Sequence, residues 1–211
     1  NLRLINDMYG FKEGDAVLCA MDEALRAVIA KNDVCGRISN DSFVLLLHGE
    51  NDESVLEFDV RFKAAFQERM DKAERLSSIT FTTGVYQVSP NDEDISKMVD
   101  KAVMAHHHAK KYQADKNIAF YTDKIRDDAV KLKAIEDSMH KALSSNEFLV
   151  YLQPKFILKD ESIGGMEALV RWQTSTGEFM YPNDFIPVFE QNGFIVKLDW
   201  YMLKKCLSNY F

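Results

Sequence analysis

Long apolar runs are missing from this sequence. No stretch approaches the roughly 18 apolar residues that a membrane-spanning helix needs, and the first residues lack the basic-then-apolar layout of a signal peptide. We therefore expect this part of the protein to be soluble, and an upstream sensor or membrane region stays open. The chain also begins without Met and stops inside a helix-like pattern, which predicts that both ends are cuts.

Cysteine and positive charge are scarce as well. Cys19, Cys35 and Cys206 are odd in number and show neither CxxC spacing nor a nearby histidine at metal-ligand distance. This pattern argues against a disulfide framework or a zinc site and favours a reducing cytoplasm. The formal net charge of −7 argues against nucleic-acid or anionic-membrane binding, since both need a dominant basic field. Any phosphate ligand must therefore be held by local groups.

Apolar periodicity predicts a mixed α/β domain that ends near Thr122. Helical spacing of apolar residues predicts helices over 16–30, 54–74 and 95–112. Short apolar or alternating runs predict strands over 43–47, 78–88 and 118–121. The unbroken run 43–47 indicates a strand that is buried on both faces.

Residues 123–146 differ from the preceding domain because they are highly charged and contain neither Gly nor Pro. One apolar stripe runs along them, which predicts a connecting helix. The stripe consists of Ile125, Leu132, Ile135, Met139 and Leu143. It must pack either on the neighbouring domains or on a second copy of itself, and the sequence does not choose between them.

A second domain is predicted to start after residue 146. Strand-like residues 147–152 are stopped by Pro154, a second strand-like run covers 163–172, and a loop and a helix follow. About 65 residues cannot complete a barrel of ~250 residues, so only the opening of this domain is present.

The segment 5–15, INDMYGFKEGD, is predicted to form a polar loop with two glycines that opens the first helix. It resembles the GGDEF family of diguanylate cyclases. The resemblance implies that Asn6 and Asp15 contact the edge of a guanine, for which an amide and a carboxylate are chemically suited. The alternative is a simple loop before the helix, with Asp15 as the N-terminal cap.

The family signature corresponds here to Ser39, Asn40, Asp41, Ser42 and Phe43, which should lie on a turn between two strands. Two glycines are replaced, which restricts both backbone conformation and access to a triphosphate. Ser42 replaces the carboxylate that the family uses at its catalytic site and cannot supply charge to Mg²⁺. The resemblance therefore implies a degenerate domain without cyclase activity, since two-metal phosphoryl chemistry needs that carboxylate.

Other positions of the first domain also depart from the family. Asp33 matches the aspartate of the product-inhibition site, but Ala30 stands where the family has arginine, so feedback binding is not expected. Lys110 matches a lysine that contacts phosphate, although Lys110 and Lys111 are equally explained as solvated helix residues. The histidines 106–108 point about 100° apart on a helix and cannot converge on one metal ion. The family's metal-binding aspartate on its first strand lies before residue 1.

Three later blocks occur in the order found in the N-terminal part of an EAL domain, which they resemble. The blocks are EFLVYLQPK at 147–155, GMEALVRW at 165–172 and PNDFIPVFEQNG at 182–193. The resemblance implies that Glu167 is a metal ligand at the C-terminal end of a barrel strand. It also implies that Gln153, Leu169 and Arg171 line a cyclic-di-GMP site, where the arginine can hold a phosphate.

These resemblances imply a fold and a function for the whole protein. The expected fold is α/β: a cyclase-like palm domain with a central mixed sheet over 1–122 (first strand upstream), a connecting helix over 123–146, and an incomplete TIM-type barrel over 147–211. The intact protein is expected to be a Mg²⁺- or Mn²⁺-dependent phosphodiesterase that converts cyclic-di-GMP to pGpG, with the degenerate domain as a regulatory module. The family's remaining metal ligands, paired aspartates and catalytic lysine would lie beyond residue 211, so this chain alone is not expected to be catalytic. The alternative is a non-catalytic receptor or scaffold for GTP or cyclic-di-GMP, and a homodimer stays open.

Overall fold

The computed structural model describes residues 2–49, 51–72, 79–112 and 117–210. Contacts divide the chain into two compact units, Asn1–Tyr121 and Thr122–Phe211. Within the described ranges, no helix combines the length and the apolar character needed to cross a membrane.

Helices alternate with short strands in the first unit. Its elements are α1 (Leu2–Tyr9), α2 (Phe11–Val28), β1 (Val34–Ser39), β2 (Ser42–Leu46), α3 (Asp52–Lys72), β3 (Thr83–Val85), α4 (Ile95–Tyr112) and β4 (Ile118–Phe120). β1 and β2 form an antiparallel hairpin, whereas β3 and β4 pair in parallel. This mixture of elements confirms the predicted α/β class.

The main core of the first unit lies between α2, α3 and the β1–β2 hairpin. Leu25 of α2 and Phe62 and Phe66 of α3 are buried there. The two phenylalanines meet the ring of Phe81 edge-on, with centroid distances of 4.9 and 4.8 Å. The helix predicted over 54–74 thus buries its expected stripe, although its predicted last two residues lie outside the described ranges.

The stretch 5–15 is helical on both sides of Gly10, so the loop predicted there is wrong. Gly10 adopts φ 86°, a left-handed conformation that glycine reaches without strain, and this breaks one helix into α1 and α2. Gly10 is the N-cap of α2. Asp15 lies within α2, and the alternative that Asp15 caps the helix is wrong too.

Two strand predictions are also corrected. The run 43–47 is not buried on both faces: β2 covers Ser42–Leu46, both of its end residues are exposed, and the residues between them are half-buried. A two-stranded hairpin covered on one side explains this, because its apolar residues cannot all face the core. The strand predicted over 78–88 is limited to Thr83–Val85, the residues that pair with β4, and its first residue, Ser78, lies outside the described ranges.

α4 packs unusually close to β3 because the contact is made of small residues. A Cβ on Gly84 would lie 2.1 Å from the Ala102 carbonyl oxygen and 2.1 Å from the His106 backbone nitrogen. Ala105, Ala109 and Ala119 are fully or almost fully buried at the same junction. Glycine and alanine thus allow the helix backbone to approach the strand.

The second unit is a helix followed by a three-stranded sheet and two further helices. Its elements are α5 (Asp123–Ser144), β5 (Phe148–Phe156), β6 (Ile163–Gln173), β7 (Phe179–Met180), α6 (Pro182–Asn192) and α7 (Ile195–Tyr210). The sheet order is β5-β6-β7, and both pairings are antiparallel. The rings of Phe148, Trp172, Phe185 and Phe189 form a buried aromatic core.

The apolar stripe of α5 packs on the core of this second unit. Ile135 and Ala142 are buried in the same cluster as Trp172. Lys131 on α5 also forms an ion pair of 2.8 Å with Asp184 on α6. α5 therefore contributes to the core of the second unit. Of the two packing partners that the sequence left open for its stripe, a neighbouring domain is the one observed for these residues.

Pro154 does not end a strand, contrary to the prediction. β5 continues through it to Phe156, and Pro154 pairs with Met166 of β6. β5 lies at the edge of the three-stranded sheet. An edge strand accepts proline because one side of its backbone needs no ladder hydrogen bond.

Candidate functional site

Asn6 and Gly14 make the contact that joins α1 to α2. Asn6 Oδ1 lies 1.9 Å from the position that a Cβ on Gly14 would take, so a larger residue at position 14 would force the Asn6 side chain to move. This oxygen is buried and has no hydrogen-bond partner among the described residues. Asp15, the other predicted guanine contact, follows Gly14 directly and is exposed. The structure thus places Asn6 beside Gly14, next to Asp15 in the sequence, and gives the amide oxygen no donor from the described part of the chain.

The degenerate signature forms the tip of the β1–β2 hairpin, as its position in the sequence predicts. Ser39 and Ser42 face each other across the hairpin, and Asn40 and Asp41 form the turn. The Arg37 guanidinium donates a hydrogen bond to the Asn40 carbonyl oxygen, which holds the turn closed. Neither turn residue is among the described residues with positive φ, so the backbone here does not require glycine. The predicted restriction of the backbone conformation is therefore not seen, and restricted access of a triphosphate to the turn stays a prediction.

Phe43, the last residue of the signature, anchors the hairpin. Its half-buried side chain packs against the main core of the first unit. The exposed turn is therefore carried on a strand that is fixed at its base.

Asp33 has a structural role at the junction of α2 and β1. Its carboxylate accepts hydrogen bonds from the Ala30 backbone N–H at 2.7 Å and from the His48 backbone N–H at 2.9 Å. These backbone donors, His48 first, hold the pKa of the Asp33 carboxyl below its usual range. The carboxylate that matches the family's product-inhibition site is therefore engaged within the fold.

His106 lies on α4 and is half-buried. Burial, followed by the charges of His107 and Lys110, lowers the pKa of His106, and Asp41 is close enough to oppose that shift. Lys110 is exposed at the last turn of α4. The His107 ring lies beside that of His106, with centroids 5.4 Å apart, whereas the His108 ring contacts Tyr112.

Four residues predicted to form the second site lie on one face of the β5–β6 hairpin. Gln153 of β5 is the direct cross-strand partner of Glu167 of β6. Leu169 and Arg171 follow Glu167 at intervals of two, and side chains two apart in a strand point to the same face. This common face is called the hairpin face below. The structure therefore brings all four residues together.

Arg171 is held at one end of the hairpin face. Its Nη1 donates to the Val170 carbonyl oxygen at 2.7 Å. Its guanidinium carbon lies 5.8 Å from the centroid of the Tyr151 ring, within the range of a cation–π contact. The guanidinium group of Arg171 is thus held by a backbone carbonyl of β6 and by an aromatic ring of β5, an arrangement suited to binding a phosphate.

Glu167 lies at the other end of the same face and is half exposed. Its Oε2 forms an ion pair of 2.9 Å with the Nζ of Lys155 on β5. A carboxylate oxygen is a ligand that Mg²⁺ and Mn²⁺ accept, so Glu167 fits as one ligand. The described part of the chain contains no group of three His, Cys, Asp or Glu that could hold a metal ion. These residues therefore supply a single ligand and not a complete metal centre.

Sequence reasoning missed two residues of the hairpin face, Tyr151 and Lys155. Both lie two positions from Gln153 on β5 and therefore share its face. Strand alternation could have found them once Gln153 was singled out.

The following comparisons with known proteins cover nearly the whole chain. The family model described as "Diguanylate cyclase, GGDEF domain" matches residues 1–116, and the model described as "EAL domain" matches residues 136–210. "Cyclic di-GMP phosphodiesterase NbdA" of Pseudomonas aeruginosa is 28% identical over 98% of this chain and 26% of its own length. "Signaling protein YkoW" of Bacillus subtilis is 30% identical over 97% of this chain and 26% of its own length. The chain thus spans about a quarter of these relatives.

One solved structure resembles the fold along 98% of the chain. It is "Vibrio cholerae LapD S helix-GGDEF-EAL (bound to c-di-GMP)", with a TM-score of 0.50 and 13% sequence identity, and the match covers 48% of that chain. The likeness shows a shared fold.

Proposed function

The chain belongs to the GGDEF domain family and continues into the N-terminal part of an EAL domain, and from this premise we propose that the whole protein hydrolyses cyclic-di-GMP to pGpG. The observation that carries the proposal is the hairpin face, where the four predicted site residues converge. NbdA, named as a cyclic-di-GMP phosphodiesterase, supports the choice of substrate. The predicted domain limits of 1–122, 123–146 and 147–211 form part of the proposal.

Each residue of the hairpin face has a proposed role. Arg171 binds a phosphate of cyclic-di-GMP, while Gln153 and Leu169 line the ligand site. Glu167 is one ligand of a Mg²⁺ or Mn²⁺ ion, and the other ligands would come from a part of the protein that this chain does not span. When bound, such ions lower the pKa of a water molecule and stabilise the charge that develops on the phosphate.

The GGDEF domain is proposed to regulate this activity without synthesising cyclic-di-GMP. Ser42 leaves the signature turn without the carboxylate needed to bind a catalytic metal. GTP binding at a vestigial site, by Asn6, Asp15 and Lys110, is supported by the buried Asn6 oxygen that has no donor among the described residues. A guanine N–H could supply that donor. The predicted cytoplasmic location and the homodimer stay predictions.

A pair of glutamate variants tests the phosphodiesterase proposal. The full-length protein is incubated with cyclic-di-GMP and Mg²⁺ or Mn²⁺, and pGpG is followed by chromatography. We expect turnover by the wild type, a loss of at least about 100-fold in Glu167→Gln because a metal ligand is removed, and wild-type turnover in Glu178→Gln. Glu178 is an exposed residue of the same unit and serves as the control.

Binding without turnover would instead favour a receptor. If a folded wild-type protein binds cyclic-di-GMP but yields no pGpG with either metal, the phosphodiesterase proposal fails. A non-catalytic receptor or scaffold would then be the better account.

A further inference from the structure

Lys155 contacts the predicted metal ligand directly. Its Nζ lies 2.9 Å from Glu167 Oε2, and the two side chains are 65% and 50% exposed. The residue opposite Lys155 on β6 is Gly165, and open space surrounds the position where its Cβ would be. Lys155 therefore has no side chain directly across from it and reaches diagonally to Glu167, a neighbour on the same face.

This ion pair occupies one of the two carboxylate oxygens to which a cation could bind. A carboxylate that neutralises an ammonium group offers less charge to a divalent ion, and the ammonium repels that ion at short range. Water and salt weaken both effects because the pair is exposed. The contact should thus change the affinity for a metal ion by a modest factor and should not abolish metal binding.

We propose that Lys155 is a positioning residue that holds Glu167 in the absence of metal and lowers the affinity of the site for divalent cations. The inference rests on the proposed function, since Glu167 must be a metal ligand. Lys155 acts through Glu167 and needs no contact with the nucleotide. The competing explanation is an ordinary surface ion pair that has no effect on the metal.

Metal binding without nucleotide tests this role independently of catalysis. The affinity of the full-length protein for Mn²⁺ is measured by isothermal titration calorimetry at low salt. The set comprises the wild type, Lys155→Met, Lys155→Arg and, as the matched control, Lys159→Met in the connection between β5 and β6. Thermal unfolding of each variant checks that it is folded.

We expect Lys155→Met to lower the Kd for Mn²⁺ about fivefold, because it removes the competing charge while retaining much of the side chain. Lys155→Arg keeps the charge and should retain a Kd for Mn²⁺ close to that of the wild type. Lys159→Met should leave this Kd unchanged. The gain in Lys155→Met should shrink as the ionic strength rises.

Several results would overturn the proposal. These are an unchanged or higher Kd in Lys155→Met, an equal gain in Lys159→Met, or a gain that is insensitive to salt. Glu167→Gln separates this failure from failure of the proposed function. If Glu167→Gln binds Mn²⁺ like the wild type, Glu167 is not a metal ligand, and the inference about Lys155 is wrong as well. If Glu167 is needed for Mn²⁺ binding but pGpG is not formed, the inference on Lys155 stands alone.

Discussion

At the scale of single residues, Gly84 sets how closely α4 approaches β3. A Cβ at this position would meet two backbone atoms at 2.1 Å, and backbone atoms cannot move aside as the end of a side chain can. We expect Gly84→Ala to lower the free energy of unfolding of the first unit by at least about 2 kcal/mol. Hydrogen exchange of the first unit measures this loss.

Gly36→Ala is the matched control for Gly84. A Cβ on Gly36 would lie 3.9 Å from Val44 Cγ1, an ordinary contact, so this variant should change stability little. Equal stability of the two variants would contradict the close packing of α4 on β3.

Asp33 links stability to pH. Because the folded state lowers its pKa, the ionised carboxylate stabilises the fold above its usual pKa of about 3.9, and that stabilisation is lost as the pH falls through the lower folded value. We expect Asp33→Asn to destabilise the first unit by about 1–2 kcal/mol at pH 7. The difference between variant and wild type should shrink below about pH 4.

Urea unfolding followed by circular dichroism between pH 7 and pH 2 tests this expectation. Asp7→Asn is the control, since the Asp7 side chain is exposed and its ion pair with Arg3 is long at 4.0 Å. A difference between Asp33→Asn and wild type that persists unchanged at low pH would show that the charge of Asp33 is irrelevant.

Arg171 should matter for its shape as well as for its charge. Arg171→Lys keeps a positive charge but loses the planar fork and the contact with Tyr151. We expect the affinity of the full-length protein for cyclic-di-GMP to fall about tenfold or more. Titration calorimetry measures this, with Arg61→Lys on α3 as an exposed control; equal affinities in both variants would remove Arg171 from the site.

At the scale of elements, α5 serves as part of the second unit. Ile135 is 1% exposed in the aromatic core, so Ile135→Ala should cost about 2–5 kcal/mol of unfolding free energy. Both tryptophans, Trp172 and Trp200, lie in this unit, and their fluorescence during urea unfolding reports its stability directly.

Val130→Ala is the control for Ile135→Ala. It shows how much of the change in stability comes from helix propensity and how much from the loss of a buried side chain. Val130 lies on the same helix and is 64% exposed, so this variant should change stability by less than about 0.5 kcal/mol. Similar losses in both variants would mean that the stripe of α5 is not a core contact.

Long periodic elements were predictable from the sequence and short ones were not. α4 follows its predicted range because buried Ala105 and Ala109 repeat at helical spacing. α1 was missed because eight residues give too little periodicity, and Gly10 concealed that both flanks are helical. β5 is longer than the sequence predicts, because proline ordinarily ends a strand whereas an edge strand accepts it.

At the scale of the whole molecule, the two candidate sites are the hairpin face of the second unit and the signature turn of the first. They differ in how much of each could be predicted from the sequence. The hairpin face follows from strand alternation and family resemblance together, and the structure unites Gln153 with Glu167. The hairpin face alone predicts no complete metal site, because β5 and β6 together contain only one carboxylate, Glu167. In the first unit the family resemblance predicts a turn within residues 39–43, and the structure has it at Asn40 and Asp41. The role of Asp33 depends on backbone donors that no side-chain pattern reveals.

The most direct test of the proposed function is a nucleotide assay on the full-length protein. The protein is incubated with Mg²⁺ or Mn²⁺ and with cyclic-di-GMP, GTP or both, and every nucleotide is followed by chromatography. The account predicts pGpG from cyclic-di-GMP, a changed rate when GTP is added, and no cyclic-di-GMP from GTP alone. Synthesis of cyclic-di-GMP from GTP, or the absence of pGpG with either metal from a folded protein, would contradict it.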